Sequence, residues 1–137
     1  MYQTALKAYE SVNKSTMSGR DVEAEVLTKA ALKLKDCQEH WAENGRDAKL
    51  EAALKYNQRI WTIFQAELEK PENFLPDALK VDLLRLSVFI DKRTVETIAY
   101  PAPEKLTILI DINHNIAAGL RSRPKATPTD KAMHAAL

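Results

Sequence analysis

LEAALKYNQRIWTIFQAELEKPENFLPDALKVDLLRLSVFIDKRTVETI, residues 50–98, holds two long apolar-periodic stretches joined by Pro71-Glu72-Asn73-Phe74-Leu75-Pro76. The first sets Leu50, Leu54, Asn57, Trp61, Phe64 and Leu68 at steps of three or four, which puts them on one helical face. The second does the same with Leu79, Leu83, Leu86, Ile90 and Thr94. Each also carries a second stripe: Tyr56, Ile60 and Ile63 on one, Val81, Leu84, Val88 and Val95 on the other. A helix buried on one side needs only one stripe. The surplus must meet either the remaining helices of the domain or a partner's helix lying in a groove.

Working outward, residues 2–11 read as a short helix with Tyr2, Ala5, Leu6 and Tyr9 on one side, broken by the turn-rich Asn13 to Ser18. Ser18 is placed to cap the next helix, with Asp21 near the positive end of its dipole. Val22, Val26, Ala30, Leu34, Cys37 and Trp41 then keep helical spacing as far as Asn44-Gly45, where glycine suits a left-handed terminus. Asp47 restarts the chain. Pro76 fits the first turn of the second organising helix, with Asn73 or Leu75 in its cap region. That helix runs to about Ala99 and is closed by Tyr100-Pro101-Ala102-Pro103.

Leu106 to Leu120 is the contested segment. Thr107, Ile108, Ile110 and Ile112 favour a strand by propensity. Leu106, Leu109, Ile110, Asn113, Ile116, Ala117 and Leu120 nevertheless trace a helical face, and a lone strand would have nothing to pair with. The reading is a helix. After Leu120 the sequence turns to Arg, Ser, Pro, Lys and Thr, which predicts a basic disordered tail. The expected architecture is therefore all-α: a compact bundle of four main helices plus a short N-terminal one over residues 1–121, with a tail at 122–137.

The 137 residues, 45% hydrophobic and 28% charged, suffice for one self-supporting core. A net charge of +1 argues against strong attraction to nucleic acid or anionic membrane, although residues 121–137 are locally basic. Cys37 is the sole cysteine, so an intramolecular disulfide is impossible. The N-terminus shows no apolar signal region, and no apolar run approaches a membrane span. A soluble cytoplasmic protein is expected.

Few residues promise chemistry. Asp36, His40 and Glu43 share a helical face with metal-ligand spacing, yet such a face is more often simply solvated. Asp111 and His114 stand three apart, a spacing open to an acid/base pair, but such a cluster is more often a polar helix surface. With three glycines in the chain there is no phosphate-binding loop. No catalytic residue, cofactor or metal is expected, so the protein is not read as an enzyme. Asn57, set within an apolar stripe, needs hydrogen-bond partners and is expected to fix helix register. Arg59, a quarter-turn away, is expected either to bind a partner's carboxylate or to lie against Trp61.

Four blocks resemble the FlaF family, flagellar biosynthesis regulators of alphaproteobacteria. Ala8-Tyr9 precedes a helix with Arg20, Glu23, Leu27, Ala30 and Leu34, similar to the family's tyrosine segment and Arg-x-x-Glu helix. Tyr56-Asn57-Gln58-Arg59-Ile60-Trp61 resembles its Asn-x-x-x-Trp signature. Asn73-Phe74-Leu75-Pro76 with Leu83 to Ile90 and Arg93-Thr94 is similar to its Asn-x-Leu-Pro and following apolar helix. Leu109 to Leu120 resembles its closing Ile-Asn-x-x-Ile-x-x-Gly-Leu pattern. Gly19 departs from the proline often found there, and the tail lies beyond the pattern.

The resemblance implies a protein that promotes flagellin synthesis and export, by binding flagellin as a chaperone or by acting with FlbT on flagellin mRNA. The partners it implies are a helical end of flagellin and FlbT; the near-neutral charge and the absence of a basic stripe argue against direct nucleic-acid contact. On the helix pair, Asn57, Trp61, Phe64, Leu83, Leu86 and Ile90 are expected in the core. Tyr56, Ile60 and Ile63 with Leu84 and Val88 are expected to form the partner groove, bordered by Arg59 and Arg93.

Overall fold

Small side chains decide where the helices come closest. In the computed structural model, which describes residues 19–73 and 76–122, the first helix buries Ala24, Leu27, Ala30, Ala31, Leu34 and Cys37. Alanines at a helix contact let the two axes approach, and this helix, α1 (Gly19–Glu39), sits between its two main partners. These are α2 (Arg46–Glu69) and α4 (Thr107–Ser122). Between them in sequence come α3 (Asp77–Ala99) and a 3-10 turn, Pro103–Leu106. The described residues contain no strand. Four main helices are therefore present as expected, while the predicted N-terminal helix, the Ser18 cap and the tail from residue 123 lie outside the described residues.

The α1–α2 connection turns on Gly45, whose φ of 81° is the left-handed conformation expected from sequence. α1 stops earlier than its stripe suggested, at Glu39, and residues 40–45 form turns. Trp41 is thus not a helix-face residue. It lies half-buried beyond the helix, with the Arg46 guanidinium 4.4 Å over its ring.

Between α2 and α3, two expectations change. Asn73 does not cap α3; its Nδ2 donates to the Glu67 carbonyl at 3.1 Å and closes the end of α2. Pro76 is the cap itself, one residue before the first turn, and its carbonyl accepts from the N–H groups of Leu79 and Lys80, each at 3.0 Å. A proline suffices there because the cap position uses only its carbonyl.

The contested segment is a helix. Leu106, Leu109, Ile110, Asn113, Ala117 and Leu120 are buried at helical spacing, and the β-branched Ile108 faces outward. Amphipathic burial outweighs strand propensity here, since an isolated strand would leave its backbone groups unpaired. Gln38, near the end of α1, donates from Nε2 to the Pro103 carbonyl and to Thr107 Oγ1, both at 2.9 Å. These bonds hold the start of α4 against the end of α1, so the two helices run antiparallel.

α1, α2 and α4 share the main core, with Ile90 of α3 reaching into it. α3 otherwise packs on α2, through Leu83 against Leu68 with Leu79 and Leu84 alongside. The helices thus make a three-helix body with α3 laid along one of its members.

Candidate partner-binding surface

The body is aligned by a buried amide link. Trp61 Nε1 donates to Asn113 Oδ1 at 2.9 Å, and Asn113 Nδ2 donates to Asn57 Oδ1 at 2.6 Å. All three side chains are buried, and Asn57 Nδ2 has no partner among the described residues. The Phe64 ring meets the indole edge-on, centroids 5.8 Å apart. Polar groups this deep hold only with their partners opposite them, so the link sets α2 and α4 in one axial alignment. Arg59 is exposed, whereas the Trp61 indole is enclosed and turned to α4; the arginine does not cover it.

The expected groove is half filled. Tyr56 is 4% exposed and Ile60 2%, both in the main core, and the second stripe of α2 is covered by α1. The ammonium groups of Lys33 and Lys29 on α1 stand 5.1 and 5.9 Å from the Tyr56 ring, and burial pushes the Tyr56 phenol up. Ile63 is half-buried. The expectation that Tyr56 and Ile60 offer a docking surface is corrected: α1, which pairs with α2 across the Gly45 turn, takes that place. Of the residues expected in the core, Asn57, Trp61, Leu83 and Ile90 are buried, while Phe64 and Leu86 are partly so.

The second stripe of α3 is open. Leu83, Ser87, Ile90, Thr94 and Thr97 are buried toward α2. At about 100° per residue, Val81, Val88 and Val95 fall within roughly 40° of one another and nearly opposite Ile90. Val88 is 48% exposed and Val95 63%, with Val81 also exposed and Leu84 half-buried beside them. Sequence reasoning missed Ile98, exposed one step beyond Val95, although continuing the i+3 spacing would have reached it. It also missed the exposed Phe89 and Tyr100.

Arg93 does not stand free at a groove edge. Its guanidinium lies 5.6 Å from the Phe89 ring and its Nη1 3.8 Å from Glu96 Oε1. Glu96 in turn meets Lys105 Nζ at 3.7 Å, tying α3 to the 3-10 turn.

Away from this face, Asp36 Oδ2 pairs with Lys49 Nζ at 2.6 Å and its Oδ1 with His40 Nδ1 at 3.0 Å. The Lys49 hydrogen bond holds the Asp36 carboxyl below its ordinary range. His40 is raised, first by its hydrogen bond to the Asp36 carbonyl and then by nearby Glu43. Among the described residues no group of three or more His, Cys, Asp or Glu side chains could hold a metal. Asp111 and His114 are both exposed on α4. No helix among the described residues is long and apolar enough to cross a membrane.

Comparison with known proteins adds one finding. A family model described as "Flagellar protein FlaF" matches residues 5–120. No curated protein and no solved structure matches.

Proposed function

Because the chain belongs to the FlaF family of flagellar proteins, we propose that it is a non-enzymatic, cytoplasmic binding protein that chaperones flagellin and so promotes flagellin synthesis and export. The observation that carries this reading is the open valine stripe on α3, an apolar helix face with no covering element among the described residues. A chaperone of this kind masks the apolar faces of a client's helices until export and releases them for assembly. Its net charge of +1 supports protein rather than RNA as the direct ligand, so any effect on flagellin mRNA would pass through FlbT.

The test is co-purification of the tagged full chain from flagellated cells, with and without ribonuclease, followed by titration with purified flagellin. The expected result is a one-to-one flagellin complex insensitive to ribonuclease. Recovery of FlbT and RNA without flagellin would replace this reading with the post-transcriptional one.

A further inference from the structure

We propose that the outer face of α3 is a docking site for one amphipathic helix whose apolar stripe is flanked by acidic residues. This rests on the chaperone reading only for the helix's source, the client flagellin.

The face has coiled-coil spacing. Val81, Val88 and Val95 recur every seven residues, and Leu84, Asp91 and Ile98 follow each by three, giving the a and d positions of a seam. The seam from Val81 to Ile98 is about 26 Å long at 1.5 Å per residue, matched by roughly five turns of a partner helix. Arg85 and Lys92 occupy successive e positions beside it. Both are exposed, and neither makes an ion pair among the described residues.

Those charges select the occupant. A second copy packed antiparallel would bring e against e, setting Arg85 against the partner copy's lysine at position 92. A parallel copy would set Lys80, at g, against the other copy's arginine at 85 and stack Asp91 on its own equivalent. Like charges oppose each other in both arrangements, which disfavours self-association. A helix bearing Glu or Asp along one flank satisfies Arg85 and Lys92, and a basic residue opposite Asp91 would fix its register. The apolar anchors carry affinity, and the flanking charges govern capture rate and choice of partner.

The experiment uses the full chain, V88D, and the double variant R85E/K92E. Three probes are titrated: purified flagellin, a helical peptide with Leu at a and d and Glu at e and g, and its twin with Lys for Glu. All three altered positions are exposed, so the melting temperature of each variant should match wild type. V88D should weaken flagellin and the Glu peptide by about tenfold or more. R85E/K92E should weaken flagellin at low salt, with the deficit shrinking at high salt, and should invert the preference from the Glu to the Lys peptide.

Flagellin bound equally well by wild type and V88D would overturn the docking face and leave the chaperone reading standing. A Glu peptide bound with charge inversion, while flagellin is ignored, would uphold the face and remove the client. Failure to bind any probe would overturn both. A dimer that V88D dissolves would also overturn the proposal, since a second copy would then be the occupant.

Discussion

Asn113 makes two hydrogen bonds that span the core, one from Trp61 and one to Asn57. Asn113→Ala should therefore cost about 2–4 kcal/mol, because it leaves an indole N–H and a second amide buried without partners. Urea denaturation of variant and wild type measures this, and a loss below about 0.5 kcal/mol would mean that the link contributes little. Trp61→Ala should cost about 3–5 kcal/mol through cavity formation, with the Asn113 acceptor stranded in addition. The need for a partner was legible in Asn57, a polar residue in an apolar stripe. Its partner was not, because residues 57 and 113 meet only through the fold. Cys37 is fully enclosed and burial pushes its thiol up, so a disulfide reagent should modify it only at the rate of unfolding. The Asp36–His40 pair is solvent-exposed and works in opposite senses. His40, raised, contributes fully below its ordinary value and loses that contribution as pH climbs through its folded one. Asp36, lowered, contributes above its ordinary value and loses it as pH falls through its folded one. An NMR titration should find His40 ionising above the ordinary histidine range, while solvent screening keeps the melting temperature of His40→Gln close to wild type.

Elements were legible wherever the apolar period had a single interpretation. α2 and α3 were readable from their stripes, and the strand-prone α4 from the burial period of Leu106 to Leu120. Their surfaces were less so. Both α2 and α3 carry a second stripe, and nothing local distinguishes the one that α1 covers from the one left open. Coverage depends on which neighbour packs on which face of α2, which is a property of topology. Helix ends depended on turn chemistry: Gly45 announced itself, whereas Asn73, one of two residues expected in the cap region of α3, has a side chain that reaches backward to Glu67. At Gly45 an added Cβ would touch nothing within 4 Å, so Gly45→Ala should lose only the left-handed backbone preference, about 1–2 kcal/mol. Gly45→Asn should lose less. Thermal melts of the pair would detect the difference, and equal losses would mean that the turn relaxes out of the left-handed region.

At the scale of the whole molecule, α3 is held differently from the rest. α1, α2 and α4 enclose a shared core, while α3 lies mainly on α2. Much of that contact is hydroxyl rather than hydrocarbon. Thr94 and Thr97 return their hydroxyls to the Ile90 and Arg93 carbonyls at 2.7 and 2.6 Å, and Ser87 reaches Gln65 at 3.3 Å. Less apolar area is therefore removed from water along α3 than along α1. Native-state hydrogen exchange should show α3 opening at lower free energy than α1 and α4, as a separate unit. A single common opening energy would show that Ile90 ties all four helices into one transition. The family was legible from four blocks in order, none of which needed the side-chain contacts. The binding face required knowing which stripe the body leaves bare.

The two links that flank α3 differ in what they hold in register, and this bears on tolerance to insertion. Beyond α3, the path to α4 is fastened repeatedly: Gln38 holds Pro103 and Thr107, and Lys105 Nζ grips the Tyr100 carbonyl at 2.6 Å. An extra residue there must either break these ties or push α4 along α2 by about 1.5 Å, dragging Asn113 off Asn57. Ahead of α3, an added residue between Glu72 and Asn73 gives up the bonds from Asn73 to the Glu67 and Lys70 carbonyls, but it displaces a helix that lies mainly on α2 and leaves the Asn113–Asn57 alignment in place. A glycine inserted after Glu72 should lower the melting temperature far less than one inserted after Pro101. Length variation among homologous chains should accordingly gather at the first site and spare the second, leaving the molecule free to vary the reach of α3 while its body stays in register.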